Sequence, residues 1–309
     1  MHVYVAGGTG AIGRRLIPQL VERGHRVTAT TRDPGRVRTL EALGSEAVVV
    51  DGLDSAAVGE SVAKAEPDAV VHQMSALSGK LDPKHFDRSF AITNRLRTEG
   101  LDHLIAAAQA TGVPYVVAQS YTGWPNIRSG GWVKDEDDPL DPEPPKAQRE
   151  TLAAIRYLED AVQNVSGTVL RYGGFYGDSN ALLPLVRKRQ FPLVGGGTGY
   201  TSWVHLDDAA SATVLALEQQ ARGVFNIVDD EPAPASQWLP YLAECIGAKP
   251  PLRLPVWVAR LAAGDVAVSM LTRTRGSSNA RAKRVLGWEL RWPSWRQGFK
   301  DGLEPGAGT

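Results

Sequence analysis

Three glycines at three-residue spacing, Gly7, Gly10 and Gly13, follow a short apolar run over 2–6, "HVYVA". They precede a segment, 12–24, in which Ile12, Leu16, Leu20 and Val21 share one helical face. A strand, a glycine turn and a helix in that order let backbone N–H groups approach an anion, which then lies against the positive end of the helix. The anion such a turn accommodates is the pyrophosphate of a dinucleotide. A second β-rich run, 25–31, leaves through Thr30 and Thr31 into Arg32 and Asp33. A carboxylate about 20 residues after the turn favours the free 2′-hydroxyl of NAD. A guanidinium suits a 2′-phosphate, because it makes paired hydrogen bonds to an anion. Arg32 therefore favours NADP, and Asp33 keeps NAD open as the alternative.

The elements that must hold this chemistry alternate along the chain. Strands are expected over 2–6, 25–31, 46–52, 68–73 and 114–120, and helices over 12–24, 34–44 and 93–112. Short apolar strands alternating with helices make βαβ units, covered on both faces. The fold class is α/β, a doubly wound parallel sheet of Rossmann-like type. Further strands are expected over 167–172 and 223–229. Further helices are expected over 181–190, 207–220, 236–247 and 255–272. The dinucleotide-binding core would comprise 1–172 and 203–229, and a small substrate-binding region 173–202 and 230–309, folded as one body. The stretch 121–149 carries Trp124, Trp132, Lys134 and the acidic run Asp135–Asp138 without periodic structure. It reads as a solvated loop or a cover over the substrate.

Composition narrows the function. The 309 residues carry 34 basic and 34 acidic side chains, a formal charge of zero, which argues against a nucleic-acid partner. One cysteine, Cys245, allows no intrachain disulfide and no cysteine-based metal site, and suits a reducing cytoplasm. The opening strand leaves no room for a signal peptide, and no apolar run approaches the roughly 20 residues that cross a bilayer. There is no G-x-S-x-G elbow for a hydrolase and no H-E-x-x-H for zinc. The run "GGGTG" at 195–199 has no helix pattern after it and reads as a loop tip. The partner expected is a small molecule, with a homodimer allowed.

"VYVAGGTGAIG", "TTRDPGRV", "VVVDGLD" and "VVHQMSAL", in that order, resemble the short-chain dehydrogenases/reductases, in particular the extended or atypical group of NAD-dependent epimerase/dehydratase-like proteins. "AITNRLRTEGLDHLIAAAQATGV", with Asn94, "VVAQSYTGWP", "VLRYGGFYG", "SWVHLDDAASATVLAL" and "NARAKRVLGWELRWPSWRQGF" extend the resemblance over nearly the whole chain. It implies that the turn from Gly7 through Thr9, Gly10, Ala11 and Ile12 to Gly13 holds the pyrophosphate. It places Arg32 at the adenosine 2′ position, Asp51, Gly52 and Leu53 beside the adenine, Met74 and Ser75 beside the ribose, and Gly173 and Gly174 near the nicotinamide.

The same family carries Tyr-x-x-x-Lys on the helix after the fifth strand, a phenol that exchanges a proton with the substrate and an ammonium that tunes it. Two side chains one turn apart on one face can share that task. In "ETLAAIRYLEDAV" the helix is present, with Glu159 four residues past the place of the lysine, but the pair is Thr151 and Ile155. No lysine in the chain lies four residues after a tyrosine. Thr151 lacks a phenol's acidity and Ile155 has no charge. Substitutes are Ser120, placed by the resemblance at the active-site serine, then Tyr121 and Tyr172. Tyr176 and His205 are weaker candidates, Lys134 a cation only if its loop folds inward, and His72 a core residue. The expected activity is an NADP-dependent oxidoreductase on a small carbonyl, enone or sugar-like substrate with a nonstandard proton donor. The alternatives are a cofactor-retaining epimerase, isomerase or lyase, and a non-catalytic dinucleotide sensor.

Overall fold

Seven short runs form one sheet: β1 (His2–Ala6), β2 (Arg26–Thr31), β3 (Glu46–Val49), β4 (Ala69–His72), β5 (Val116–Tyr121), β6 (Thr168–Tyr172) and β7 (Gly223–Ile227). Their spatial order is β7-β6-β5-β4-β1-β2-β3, every pair parallel. The order reverses between β1 and β4, which opens a crevice at the carboxyl ends of those strands. The computed structural model describes residues 1–77, 82–177 and 182–303.

Alternation along each strand sends side chains to two helical layers. Val3, Val5, Val117, Leu170 and Tyr172 face one core with Leu16, Ile17 and Leu20 of α1 (Gly13–Glu22). Tyr4, Ala6, Val70 and Val116 face the opposite one. Each fully buried Leu or Val there contributes roughly 1.5–3 kcal/mol. After α1 come α2 (Val37–Ala42), α3 (Ser55–Ala65), α4 (Phe86–Arg97), α5 (Glu99–Ala110), α6 (Arg149–Asn164), α7 (Leu182–Arg187), α8 (Leu206–Gln219), α9 (Ala235–Cys245) and α10 (Val256–Thr272). The expected helix at 181–190 thus runs from 182, and its first residue lies outside the described ones, as do 178–180 and 304–309 of the expected substrate-binding region.

Three elements differ from expectation. α3 crosses between β3 and β4 where the sequence suggested none; Asp54 caps it by accepting from the Ala57 amide at 3.1 Å. The single helix expected over 93–112 is two, starting earlier and broken at Thr98, whose φ of −104° and ψ of −84° are not helical. Its hydroxyl turns back to the Asn94 carbonyl at 3.1 Å, the competition with the backbone that β-hydroxyl residues offer. The segment 34–44 begins as a 3-10 turn over Pro34–Arg36, because the Asp33 carboxylate accepts from the Gly35 amide at 2.9 Å.

The later elements build a second core of Trp203, Trp238, Leu239, Trp295 and Phe299. Asp208, near the start of α8, accepts from the amides of Arg291 and Trp292 at 2.8 and 2.9 Å and ties this part to the sheet. Among the described residues no helix is long and apolar enough to cross a membrane.

Candidate functional site

The turn after β1 is shaped by close approach. Gly7 has φ +93°, and a Cβ on it would lie 2.7 Å from the Gln73 carbonyl oxygen and 2.9 Å from the Met74 amide nitrogen. A Cβ on Gly13 would meet the Gly8 carbonyl oxygen at 2.4 Å. Gly10 is different: its φ is not in the left-handed region, and its Cβ would come nearest the Gly7 and Gln73 carbonyl oxygens, at 3.3 and 3.9 Å. The Gly7 and Gly8 amides are tied to Thr30, at 3.1 Å to its Oγ1 and 3.0 Å to its carbonyl. Thr9 and Gly10 are half-exposed and Ala11 is exposed, whereas Ile12 is buried as the anchor. The N-cap residue of α1, Ile12, offers no side-chain cap, and the Arg14 and Arg15 amides donate to the Gly10 and Ile12 carbonyls at 3.1 and 2.9 Å. Two glycines locked by backbone contact, an open third and an uncapped helix start form a cradle that fits a diphosphate.

Of the other residues assigned to a dinucleotide, Met74 touches this turn, its amide 2.9 Å from a Cβ on Gly7. Gly52 packs on Met74, where a Cβ would be 2.3 Å from the sulfur, so the β3 and β4 ends touch. Met74 is buried and Ser75 exposed beside it. The Asp51 carboxylate accepts from the Leu53 amide at 3.0 Å. Arg32 is exposed and makes no hydrogen bond or ion pair with a described residue, whereas Asp33 is engaged by Gly35 and lies 3.6 Å from Arg36. Gly173 and Gly174 have a packing reason of their own: Cβ atoms there would meet the Ser202 carbonyl oxygen at 2.5 Å and the Trp203 ring at 3.0 Å.

At the end of β5 the polar side chains are committed. Ser120 is buried and donates to Glu159 Oε1 at 2.6 Å. Glu159, on α6, also receives both arms of Arg171, at 2.8 and 2.7 Å. The Tyr172 hydroxyl lies on the other side of the sheet, 2.6 Å from Thr213 Oγ1, and accepts from Gln73 Nε2 at 3.2 Å. Tyr121 packs on the cluster of Phe86, Trp124, Leu152 and Ile155. Burial pushes both phenols up to about 12, which keeps them neutral and makes them poor acids near neutral pH. His72 is buried, bonded to the Leu96 carbonyl at 2.9 Å and brought down to about 4 by burial, so it is neutral. His205 receives the Asp207 amide and caps α8. The Tyr176 hydroxyl is buried with no hydrogen-bond partner among the described residues.

Thr151 and Ile155 face inward from α6, 0% and 1% exposed. Thr151 donates to Asp87 Oδ1 at 2.6 Å and accepts from Asn94 Nδ2 at 3.1 Å. Asp87 also accepts from the amides of Glu150 and Thr151, so a carboxylate from α4 caps the positive end of α6. Ile155 is sealed under Phe86 and Trp124.

The stretch 121–149 is a fixed cover rather than a free loop. Val133–Lys134 pairs with Gly276–Ser277, Glu136 accepts from the Asn226 amide at 2.8 Å, and Arg281 meets Asp137 at 2.6 Å. Lys134 is buried but pairs with Asp138 at 3.1 Å, which removes it as a substitute ammonium. Trp124 is buried, while Trp132 is exposed and stacks on Tyr200 at 5.3 Å.

Sequence reasoning missed Asp87 and Arg97. Arg97 lies on the inward face of α4, one turn past Asn94, and is 7% exposed. Its signal was its place on the stripe of Phe86, Phe90 and Thr93, where a charge is out of pattern.

The model of the NAD dependent epimerase/dehydratase family matches residues 3–228. A Streptomyces protein named 3-diazoavenalumate denitrifying reductase is 42% identical over 97% of this chain and 99% of its own. Among solved structures, Thermotoga maritima UDP-glucose 4-epimerase with UDP-glucose is similar with a TM-score of 0.76 at 21% identity, over 98% of this chain and 97% of that one. Human epimerase family protein SDR39U1 with NADPH gives 0.75 at 22% identity, over 99% and 100%. The family match covers the cradle, the sheet and α6 together, and the chain is an enzyme that belongs to the NAD-dependent epimerase/dehydratase family.

Proposed function

We propose that this protein is an NADPH-dependent reductase whose substrate accepts a hydride at carbon without needing a proton from the enzyme. The observation that carries this reading is the state of Thr151 and Ile155, both buried and committed to capping and packing where the family's phenol and ammonium would stand. Ser120 and Tyr172 are committed to other partners, and burial pushes the third candidate, Tyr121, up to about 12, a poor acid for a carbonyl oxygen.

When bound, the reduced nicotinamide supplies a hydride. The chain's own part is to hold it. Gly7–Gly13 would cradle the diphosphate, Arg32 would meet the 2′-phosphate, and Asp51, Leu53, Met74 and Ser75 would line the adenosine half. Arg32 is unengaged by described residues and Asp33 is occupied by its own turn, which favours NADPH over NADH.

A diazo group suits such a site better than a ketone. In an arenediazonium the C–N bond breaks as the hydride's electron pair forms the new C–H bond, and dinitrogen leaves with the bonding pair. No oxygen has to be protonated, so no general acid is required. The relative's name, a diazo-compound reductase, agrees with this chemistry. Phe86, Trp124, Tyr121 and Ile155 pack as one buried apolar cluster at the end of β5, and an aromatic diazonium seated beside it would be screened from water.

The test is consumption of NADPH by the purified protein with benzenediazonium and, separately, with acetophenone. The expected result is one NADPH oxidised per dinitrogen released from the diazonium, with acetophenone reduced at least about 100-fold more slowly. Equal rates on the two would overturn the proton-free reading, and turnover without net NADPH oxidation would mark an isomerase or lyase.

A further inference from the structure

A surplus positive charge is buried behind the site. Arg97 is 7% exposed; its Nε and Nη1 are buried without a hydrogen-bond partner, and it forms no ion pair with a described residue. Glu159 is the one carboxylate whose charge favours its ionised form, and that carboxylate is already filled by Arg171 and Ser120. Two guanidiniums therefore share one carboxylate. Burial lowers Arg97 to about 10, still well above neutral pH, so it stays charged. A buried charge without a partner is destabilising, because the interior does not replace the water it has lost. Among the described residues only the Glu159 charge favours it, and that carboxylate is already bonded elsewhere, which leaves a ligand anion as its partner.

The position says which ligand. Arg97 ends α4, close enough to His72 at the carboxyl end of β4 for its charge to oppose protonation of that imidazole. That is the edge of the sheet where ligands bind in folds of this topology. Along the same face of α4, Phe90 lies under the guanidinium at 5.8 Å and stacks on Phe86 at 4.5 Å, which meets the Trp124 ring edge-on at 5.3 Å. An aromatic stripe thus runs up to one cation. The cofactor's diphosphate has its own cradle at the start of α1.

We propose that Arg97 is the specificity-determining residue that pairs with a carboxylate of the substrate, and that the substrate is an aromatic acid. This deepens the reductase reading and rests on it. The name of the Streptomyces relative, whose substrate is written as an acid anion, agrees.

The experiment is calorimetric titration of the protein, with and without saturating NADP⁺, using cinnamate and its uncharged amide as probes. A charge-assisted contact to a buried carboxylate stabilises by about 1.5–3 kcal/mol, so cinnamate should bind at least about tenfold more tightly than cinnamamide. Arg97→Met should erase that preference and Arg97→Lys keep part of it, both binding NADP⁺ within about twofold of the wild type. Equal binding of the two probes by the wild type overturns the proposal, and this comparison decides alone should Arg97→Met fail to fold. Persistence of the preference in Arg97→Met overturns it as well. If Arg97→Met instead loses NADP⁺ affinity, the anion is a cofactor phosphate and the proposal falls. Failure of the wild type to bind NADP⁺ would strike the reductase reading, which the probe comparison without NADP⁺ keeps separate.

Discussion

Gly10→Asp is expected to abolish cofactor binding while leaving the fold intact. The position is chosen by contrast with its neighbours. A Cβ on Gly7 or Gly13 would run into backbone at 2.7 or 2.4 Å, so substitution there would mix folding damage with binding loss. At Gly10 the nearest atom is 3.3 Å from the new Cβ, and the loop is half-exposed. The aspartate would set a negative charge against the diphosphate. At about 4 Å and an effective dielectric near 20, like charges repel by roughly 4 kcal/mol. Allowing for screening, NADPH affinity should fall at least about 100-fold, read by quenching of protein fluorescence, with the melting temperature within a few degrees of the wild type. Gly10→Ala adds the carbon without the charge and should cost tenfold at most. Similar losses in the two variants would mean that bulk, not charge, governs the position. Unchanged binding in Gly10→Asp would remove the cradle from the cofactor site.

Glu159→Leu should produce the largest loss of stability among conservative-sized changes near the site. The carboxylate is 3% exposed and accepts from Ser120 and from two nitrogens of Arg171. Removing it strands the buried Arg171 charge and leaves Arg97 wholly unopposed. Breaking one side of a buried pair costs about 3–5 kcal/mol. For a chain of this size that lowers the melting temperature by roughly 5–15 °C. The double variant Glu159→Leu/Arg171→Met takes away both charges and should recover most of the loss, because two apolar groups of similar volume can replace a buried pair. A single variant within about 1 kcal/mol of the wild type, by calorimetry, would show that the network is not holding β5, β6 and α6 together.

Much of this architecture is legible in the residues. The strands of the sheet announce themselves as apolar runs between turn signals, and Gly7, Gly10 and Gly13 mark the first turn by their spacing between a strand and a helix. α3 was not legible, because "SAAVGESVAKA" is built of small residues and a glycine and shows a weak apolar stripe. The break at Thr98 hides inside a continuous helical period, since it depends on one hydroxyl choosing a backbone partner. The roles of Ser120 and Arg97 were illegible for a different reason. Ser120 reads as a strand-end serine until Glu159, 39 residues away, is seen to accept its hydrogen bond. Arg97 stands out of pattern on an apolar stripe, but that it is buried over Phe90 with no carboxylate of its own shows only in the tertiary packing. Sequence shows which polar groups exist; only the fold shows which of them are already partnered.

In the reaction proposed for this protein, a hydride reaches a substrate carbon with no proton supplied by the enzyme. The most direct measurement is reduction of benzenediazonium with NADPH deuterated at the transferable position, followed by the isotope content of the benzene formed. One deuterium per molecule is expected from the cofactor and none from deuterated water when the labels are exchanged. Benzene that takes its new hydrogen from water would contradict it.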